Sequence, residues 1–123
     1  MYLVTGAAGF IGYHVAKKLS HSGKVLAIDN FSNYYSKGLK KRRVEELEVN
    51  PQIAFKYIDL SNRNEIEMLF SNFKIETVIH LAAQPGVRLN INDYPKYISS
   101  NLNAFENLLQ VCLIRGVTNF IFA

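Results

Sequence analysis

The chain has 123 residues, of which 49% are hydrophobic and 20% charged, with seven glycines and three prolines. This composition predicts one packed domain and excludes a disordered chain. The single cysteine, Cys112, excludes an internal disulfide and a cysteine zinc cluster, and its apolar helical surroundings predict a small core residue. No apolar run approaches the roughly 18 residues of a membrane helix, and no basic segment precedes an apolar one at the N-terminus, so we expect a cytoplasmic protein without membrane contact.

The formal net charge is +4, and most of the excess is local, in Lys37, Lys40, Lys41, Arg42 and Arg43. A run of this kind is usually the solvated face of a helix. No aromatic-basic motif accompanies it, so we expect no nucleic-acid partner. Small molecules that carry phosphate fit the same charge.

A short apolar strand is predicted at residues 2–5 and an amphipathic helix at 10–21, with Gly6, Gly9 and Gly12 between and within them. The spacing G-x-x-G-x-x-G differs by one residue from G-x-G-x-x-G, but the same roles apply. The first glycine makes the tight turn, the second lets the backbone approach a pyrophosphate, and the third lets the helix pack on the strand. Because the helix N-terminus also offers unpaired N–H groups to phosphate, the segment predicts a dinucleotide site.

A second strand is predicted at residues 24–28, and Asp29 follows it directly. A carboxylate at this point accepts both ribose hydroxyls of adenosine and repels a 2′-phosphate. The next two residues, Asn30 and Phe31, are uncharged, so they do not replace that repulsion with attraction. The sequence therefore predicts NAD rather than NADP, with a simple turn cap as the alternative role of Asp29.

A polar helix is predicted at residues 37–49, with Leu39, Val44 and Leu47 facing inward. The strand predicted next, at residues 53–58, alternates strictly enough to have one wetter face.

Asp59 and Leu60 follow this third strand. In the predicted architecture they lie beside the adenine, where Asp59 accepts from its amino group and Leu60 packs on the ring, although a simple helix cap explains Asp59 almost as well. A helix reaching to about residue 73 follows, for which Asp59, Ser61 and Asn62 are candidate caps. Glu65 is placed to complete a capping box with Asn62.

A fourth strand, rich in β-branched residues, is predicted at residues 77–81 and contains His80. No second histidine or cysteine is placed beside His80 as a metal ligand. We therefore expect a core or backbone-bonding role for His80, and no metal site.

A long helix is predicted at residues 93–115, with Asp93 as its cap, Pro95 in its first turn and Gly116 after its end. A fifth strand follows at 117–122. The alternation of strands and helices predicts a Rossmann-type, doubly wound parallel sheet of the α/β class, with five strands present and truncated before the remaining strands. In such a sheet the ligand lies at the carboxyl ends of the strands, near the switch point between the first and the fourth.

Several segments together resemble a known family: Gly-Ala-Ala-Gly-Phe-Ile-Gly at 6–12, Asp29-Asn30-Phe31, Asp59-Leu60 and Val78-Ile79-His80-Leu81-Ala82-Ala83. They resemble the extended short-chain dehydrogenase/reductase family, and within it the NAD-dependent nucleotide-sugar epimerases. The segments Asn33-Tyr34-Tyr35, Leu39-Lys40 and Ala83-Gln84-Pro85-Gly86-Val87-Arg88 are most similar to the UDP-glucuronate 4-epimerase branch. The resemblance covers essentially the whole chain.

The resemblance implies an isomerase for polysaccharide precursors, in which NAD⁺ takes hydride from C4 of the sugar, the keto-sugar turns over, and hydride returns to its opposite face. Carried over by position, the cofactor-binding residues are Gly6, Ala8, Gly9, Phe10, Ile11, Gly12, Asp29, Asn30, Phe31, Asp59, Leu60, Leu81, Ala82, Ala83 and Gln84. Val87, Arg88 and Asn101 are the implied substrate-binding residues. Arg88 is expected on a phosphate or carboxylate, with an exposed loop arginine as the alternative. A homodimer through the helix at 93–115 is also implied.

The family's base is a tyrosine in Tyr-x-x-x-Lys, and the chain lacks it in the right context. Tyr13 and Lys17 have the spacing but lie on the first predicted helix, away from the expected nicotinamide position. We therefore predict that residues 1–123 are the N-terminal part of an NAD-binding domain and lack the C-terminal substrate domain. We predict no catalytic residue among them, and we expect them not to catalyse epimerisation on their own. The alternatives are a sugar-nucleotide dehydratase or decarboxylase of the same family, and a non-catalytic fragment that binds nucleotide or self-associates.

Overall fold

Five short strands form one parallel sheet in the order β3-β2-β1-β4-β5. The computed structural model describes residues 1–33, 36–86 and 90–123. Its strands are β1 (Tyr2–Thr5), β2 (Val25–Asp29), β3 (Ile53–Tyr57), β4 (Thr77–His80) and β5 (Asn119–Phe122). The central strand is β1, with β2 and β3 on one side of it and β4 and β5 on the other, so the direction of the connections reverses between β3 and β4. The predicted Rossmann-type α/β fold and its switch point are confirmed.

Helices connect the strands at the predicted positions, with ends that differ by one or two residues. They are α1 (Phe10–Leu19), α2 (Lys37–Glu48), α3 (Arg63–Asn72), α4 (Tyr94–Ile98) and α5 (Ala104–Arg115). The helix predicted as one unit at 93–115 is instead divided by a π-helical turn at Ser99–Asn103. Asp93 precedes α4 as predicted, but its side chain makes no capping bond. Gly116 ends α5 at φ 69°, as expected of a C′ glycine.

The core has two parts, one on each face of the sheet, because successive side chains of a strand point to opposite faces. Leu3 and Leu26 contribute to the cluster under α3 and α5, which contains Cys112. Val4 contributes to the cluster under α1 and α2. Cys112 is buried as predicted, and this burial raises the pKa of its thiol to about 12.

The inward face of α2 differs from the prediction only in its first turn, where Lys40 takes the place of Leu39. Val44 and Leu47 are buried as expected, but Leu39 is 44% exposed, and Lys40 is 4% exposed in its place. Positions 40, 44 and 47 share one face of a helix. Lys40 tolerates burial because its ammonium pairs with a carboxylate, described below.

The start of α3 is also only partly as predicted. Asn62 is the N-cap and accepts a hydrogen bond from the backbone N–H of Asn64. The expected capping box is not formed, since Glu65 accepts from the backbone N–H of Asp59 at 2.9 Å and from Nδ2 of Asn62 at 3.0 Å. Glu65 thus fastens the loop after β3 to the first turn of α3.

Thr5 and His80 face each other at the ends of β1 and β4. Thr5 Oγ1 accepts from the backbone N–H groups of Leu81 and Ala82, at 3.1 and 3.0 Å, and lies 2.8 Å from His80 Nδ1. Since both lone pairs of this oxygen are used, the hydroxyl proton is donated to Nδ1, and the neutral imidazole carries its own proton on Nε2. His80 is buried, as expected, and this burial lowers its pKa to about 4.

No helix within residues 1–33, 36–86 and 90–123 is long and apolar enough to cross a membrane. The same residues contain no group of three or more His, Cys, Asp or Glu side chains placed to hold a metal ion.

We predict opposite effects for two glycine-to-alanine substitutions in helices. A Cβ on Gly12 would lie 2.2 Å from the carbonyl oxygen of Gly6, whereas a Cβ on Gly38 meets nothing closer than 3.7 Å. Gly12→Ala is therefore expected to lower the free energy of unfolding by at least about 2 kcal/mol. Gly38→Ala should raise it by up to about 1 kcal/mol. Urea denaturation measures both, and equal effects would contradict the close packing of α1 on the glycine loop.

Stability should also depend on pH through His80. Its pKa in the folded chain is about 4, against an ordinary value of 6.5, so the unfolded chain takes up the proton first as the pH falls. The contribution of His80 is complete above pH 6.5 and decreases by about 1.4 kcal/mol per pH unit below it, toward pH 4. Urea denaturation across this range should show a smaller slope for His80→Asn, which keeps an acceptor for Thr5. The exposed His14 and His21 are present in both proteins; identical slopes would contradict the prediction.

Candidate cofactor site

A cleft of about 550 Å³ opens at the carboxyl ends of the strands. It is lined by loops that follow the first four strands and by parts of α2 and α5. Most of the residues that the sequence singled out for a cofactor line it together: Gly6, Gly9, Phe10, Ile11, Gly12, Asp29, Asn30, Asp59, Leu60, Leu81, Ala82, Ala83 and Gln84.

The glycine loop presents the N-terminus of α1 to this cleft. Gly6 has φ +68°, and a Cβ on it would lie 2.8 Å from the backbone nitrogen of Ala82, so only glycine fits. Gly9 is the N-cap of α1, without a side-chain cap, and the first turn contains no acidic residue. The N–H groups of that turn, which have no partner inside the helix, are therefore available to an anion.

Asp29 joins the glycine loop to the end of β2. Its Oδ2 accepts from the backbone N–H of Ala8 at 3.2 Å, and its Oδ1 accepts from the N–H of Phe31 at 2.7 Å. Oδ1 also lies 3.3 Å from Nζ of Lys40. The bond to Phe31 is the turn cap considered as an alternative, and Oδ2 retains one acceptor position for a hydroxyl group.

Two predicted cofactor residues do not line the cleft. Ala8 is fully buried and reaches the site only through its N–H bond to Asp29. Phe31 has φ 54°, and its ring packs against Tyr57 and Phe55, with centroids at 4.9 and 6.1 Å. Ala8 therefore contributes to the site through its backbone, and Phe31 contributes through its N–H and through its ring, whose centroid lies 5.9 Å from Nζ of Lys40.

Helix α2 supplies cleft residues that the sequence did not assign to the site. Lys40 and Arg43 line the cleft, and Arg43 Nη1 donates to the carbonyl of Ala8 at 3.2 Å. The guanidinium carbon also lies 5.8 Å from the ring centroid of Phe10. The helical spacing of Lys40 with Val44 and Leu47 could have indicated that Lys40 faces inward. The run of basic residues around it instead suggested a solvated helix face.

Tyr13 and Lys17 lie between α1 and α2, outside the cleft. The Tyr13 hydroxyl donates to the carboxylate of Glu46 and accepts from Nζ of Lys17 at 2.9 Å. The bond from Tyr13 holds the pKa of Glu46 below its usual range. The three side chains connect the two helices, in agreement with the expectation that this Tyr-x-x-x-Lys spacing is coincidental.

The loop after β3 places Asp59 and Leu60 on the cleft wall. Asp59 Oδ1 accepts from both the N–H and the hydroxyl of Ser61, at 2.9 and 2.8 Å. Nδ2 of Asn107 in α5 donates to the carbonyls of Leu60 and Ser61, at 3.2 and 3.1 Å. Asp59 therefore makes a turn contact with Ser61 and does not cap α3, whose N-cap is Asn62. Its second carboxylate oxygen makes no bond within the described part of the chain.

Asn101, which the resemblance implies near the substrate, bonds to the backbone of the loop after β4 in this structure. Its Oδ1 accepts from the N–H of Gln84 at 2.7 Å, and its Nδ2 donates to the Gln84 carbonyl at 3.1 Å. The amide therefore fastens the loop after β4 to the π-helical turn, and it does not line the cleft. The predicted substrate residues Val87 and Arg88 lie outside the described residues, as do Tyr34 and Tyr35 of the family-like segment.

Comparison with known proteins assigns the family. Residues 2–123 match the NAD dependent epimerase/dehydratase family. A UDP-glucuronate 4-epimerase of Thermodesulfobacterium geofontis is 39% identical over 99% of this chain and 38% of its own length. A UDP-glucose 4-epimerase of Caenorhabditis elegans is 40% identical over 98% of this chain and 36% of its own length.

A solved structure shows the same fold. UDP-glucuronic acid 4-epimerase from Bacillus cereus, in complex with UDP-glucuronic acid and NAD, superimposes with a TM-score of 0.85 and 34% identity over 98% of this chain. The chain spans 38% of that protein, as it does of the curated relative from T. geofontis. With the family match over almost every residue, the chain belongs to the NAD dependent epimerase/dehydratase family.

Proposed function

We propose that the cleft binds NAD and that the chain is the NAD-binding portion of a nucleotide-sugar 4-epimerase of the UDP-glucuronate type. One observation carries the proposal: the uncapped N-terminus of α1 and the Asp29 carboxylate face the same cleft. The first suits the pyrophosphate of a dinucleotide, and the second suits the hydroxyls of its adenosine ribose.

The rest of the cleft fits the two ends of the same ligand. Asp59 and Leu60 provide an acceptor and an apolar surface for adenine. Ala82 and Ala83 follow β4 and line the cleft, where the resemblance implies the nicotinamide end. Bound NAD would supply the hydride acceptor and donor of the reaction.

Two contacts keep the nicotinamide end of the cleft in place. Thr5 holds the N–H groups of Leu81 and Ala82, and Asn101 holds the backbone of Gln84. We assign both side chains to positioning this loop. No catalytic group is assigned to this chain, whose proposed task is to hold and orient the cofactor.

The substrate is proposed from the relatives. The similar proteins named above act on UDP-glucuronate or UDP-glucose, and the B. cereus structure contains UDP-glucuronic acid. Val87 and Arg88 remain predictions for contacts with that substrate. The cytoplasmic location and a homodimer through residues 93–115 also remain predictions, and Leu102, Leu113 and Ile114 are exposed in that region.

Isothermal titration of the chain with NAD tests the proposal, and Gly9→Ala is the informative variant. Gly9 has φ −71° and ψ 170°, a conformation open to alanine, so the variant should keep the melting temperature of the parent. Gly9 lines the cleft, and the middle glycine of such a loop is where the backbone approaches a pyrophosphate, so we expect the added methyl group to lower NAD affinity by about tenfold or more.

Gly23→Ala is the matched control, because its Cβ would meet only the edge of the Tyr2 ring, at 3.4 Å. This variant should bind NAD like the parent chain. A folded parent chain that gives no saturable heat with NAD would contradict the proposed function, as would equal affinities of the Gly9 variant and the parent.

A further inference from the structure

An anionic and a cationic side chain lie together at the end of the cleft where the adenosine ribose is expected. Lys40 Nζ lies 3.3 Å from Asp29 Oδ1, and both side chains are almost completely buried. The same ammonium lies 3.5 Å from the hydroxyl of Ser32, which also lines the cleft. A positive group therefore stands within one hydrogen-bond length of the carboxylate that is expected to discriminate between cofactors.

Helix α2 fixes this cation in place. Lys40 continues the inward face formed by Val44 and Leu47, so its stem is held in the packed interior. One turn further on, Arg43 is tied to the carbonyl of Ala8 at 3.2 Å and also lines the cleft. Two positive side chains thus approach the ribose end from the same helix.

We propose that Lys40, with Ser32 and Arg43, forms a latent binding site for the 2′-phosphate of NADP, which the carboxylate of Asp29 keeps closed. Lys40 is then a specificity-determining residue, and its charge sets how the site ranks NADP against NAD. The inference rests on the proposed function, since it needs the adenosine ribose at Asp29. The chemistry is that of a phosphate dianion meeting an ammonium, a guanidinium and a hydroxyl group.

The test is a double-mutant cycle read by titration with NAD and with NADP. The parent chain should prefer NAD. In Asp29→Ser the rejecting charge is gone and Lys40 remains, so NADP should bind more tightly than NAD by about tenfold or more, the value of a hydrogen bond to a charged group. Adding Lys40→Met to Asp29→Ser should abolish this preference. Adding Lys41→Met instead should leave it unchanged, because Lys41 is an exposed neighbour on the same helix.

Thermal denaturation gives a second measurement, which also works for a variant that is folded but destabilised. Asp29→Ser removes the carboxylate that compensates the buried ammonium, so its melting temperature should fall below that of the parent. NADP should then restore the melting temperature more than NAD does at the same concentration. Asp29→Asn, which is closer in shape to the parent, should show the same order of the two cofactors.

The outcomes separate the two proposals. A parent chain that binds neither cofactor contradicts the proposed function and therefore also the role proposed for Lys40. A parent chain that binds NAD, together with Asp29 variants that bind or are stabilised by NADP no better than by NAD, overturns the role of Lys40 alone. A preference for NADP that survives Lys40→Met in the double variant also overturns it.

Discussion

The distance between α1 and the end of β1 is set by the absence of a side chain at Gly12. With only a hydrogen there, the first turn of α1 lies against the carbonyl of Gly6 and lines the cleft. The position of the glycine loop depends on this close approach. Asp29 accepts a hydrogen bond from the N–H of Ala8, and Arg43 in α2 donates one to the carbonyl of Ala8. Both backbone groups of this loop residue are therefore bonded to side chains.

Buried polar contacts of this kind organise the whole carboxyl edge of the sheet. The loop after β4 is held by Thr5 and Asn101, and the loop after β3 is held by Asn107. Each side chain uses its hydrogen bonds on backbone groups of a loop that would otherwise be fixed only at its ends. Within the described residues, these contacts hold the walls of the cleft in place without a ligand, which lowers the ordering cost of binding.

The alternation of strands and helices and the glycine loop could be predicted because their signals are local. Gly6, Gly9 and Gly12 identify a turn and a helix start by spacing alone, and Asp29 is found by its distance from them. The inward face of the first turn of α2 could not be predicted in the same way. Hydropathy placed Leu39 inside and Lys40 outside, since the carboxylate that makes burial of Lys40 tolerable lies outside the helix, at the end of β2.

The other departures have the same origin. The helix predicted as one unit at 93–115 is divided by a π-helical turn that no periodicity indicates, and in that turn the Asn101 amide pairs with the backbone of Gln84. Glu65 had the right spacing for a capping box, yet the N–H of Asp59 competes for its carboxylate. In both cases the observed arrangement depends on a hydrogen bond to a backbone group outside the helix, which the helical pattern does not indicate.

The central claim is that NAD lies in the cleft between the glycine loop and Asp29, and amide chemical shifts in a ¹H–¹⁵N NMR titration with NAD test it most directly. The largest changes are expected at Gly9, Phe10, Ile11 and Asp29, with the residues around Lys17 and Glu46 unaffected. Changes concentrated on that outer face of α1 and α2, with the glycine loop unmoved, would contradict the account.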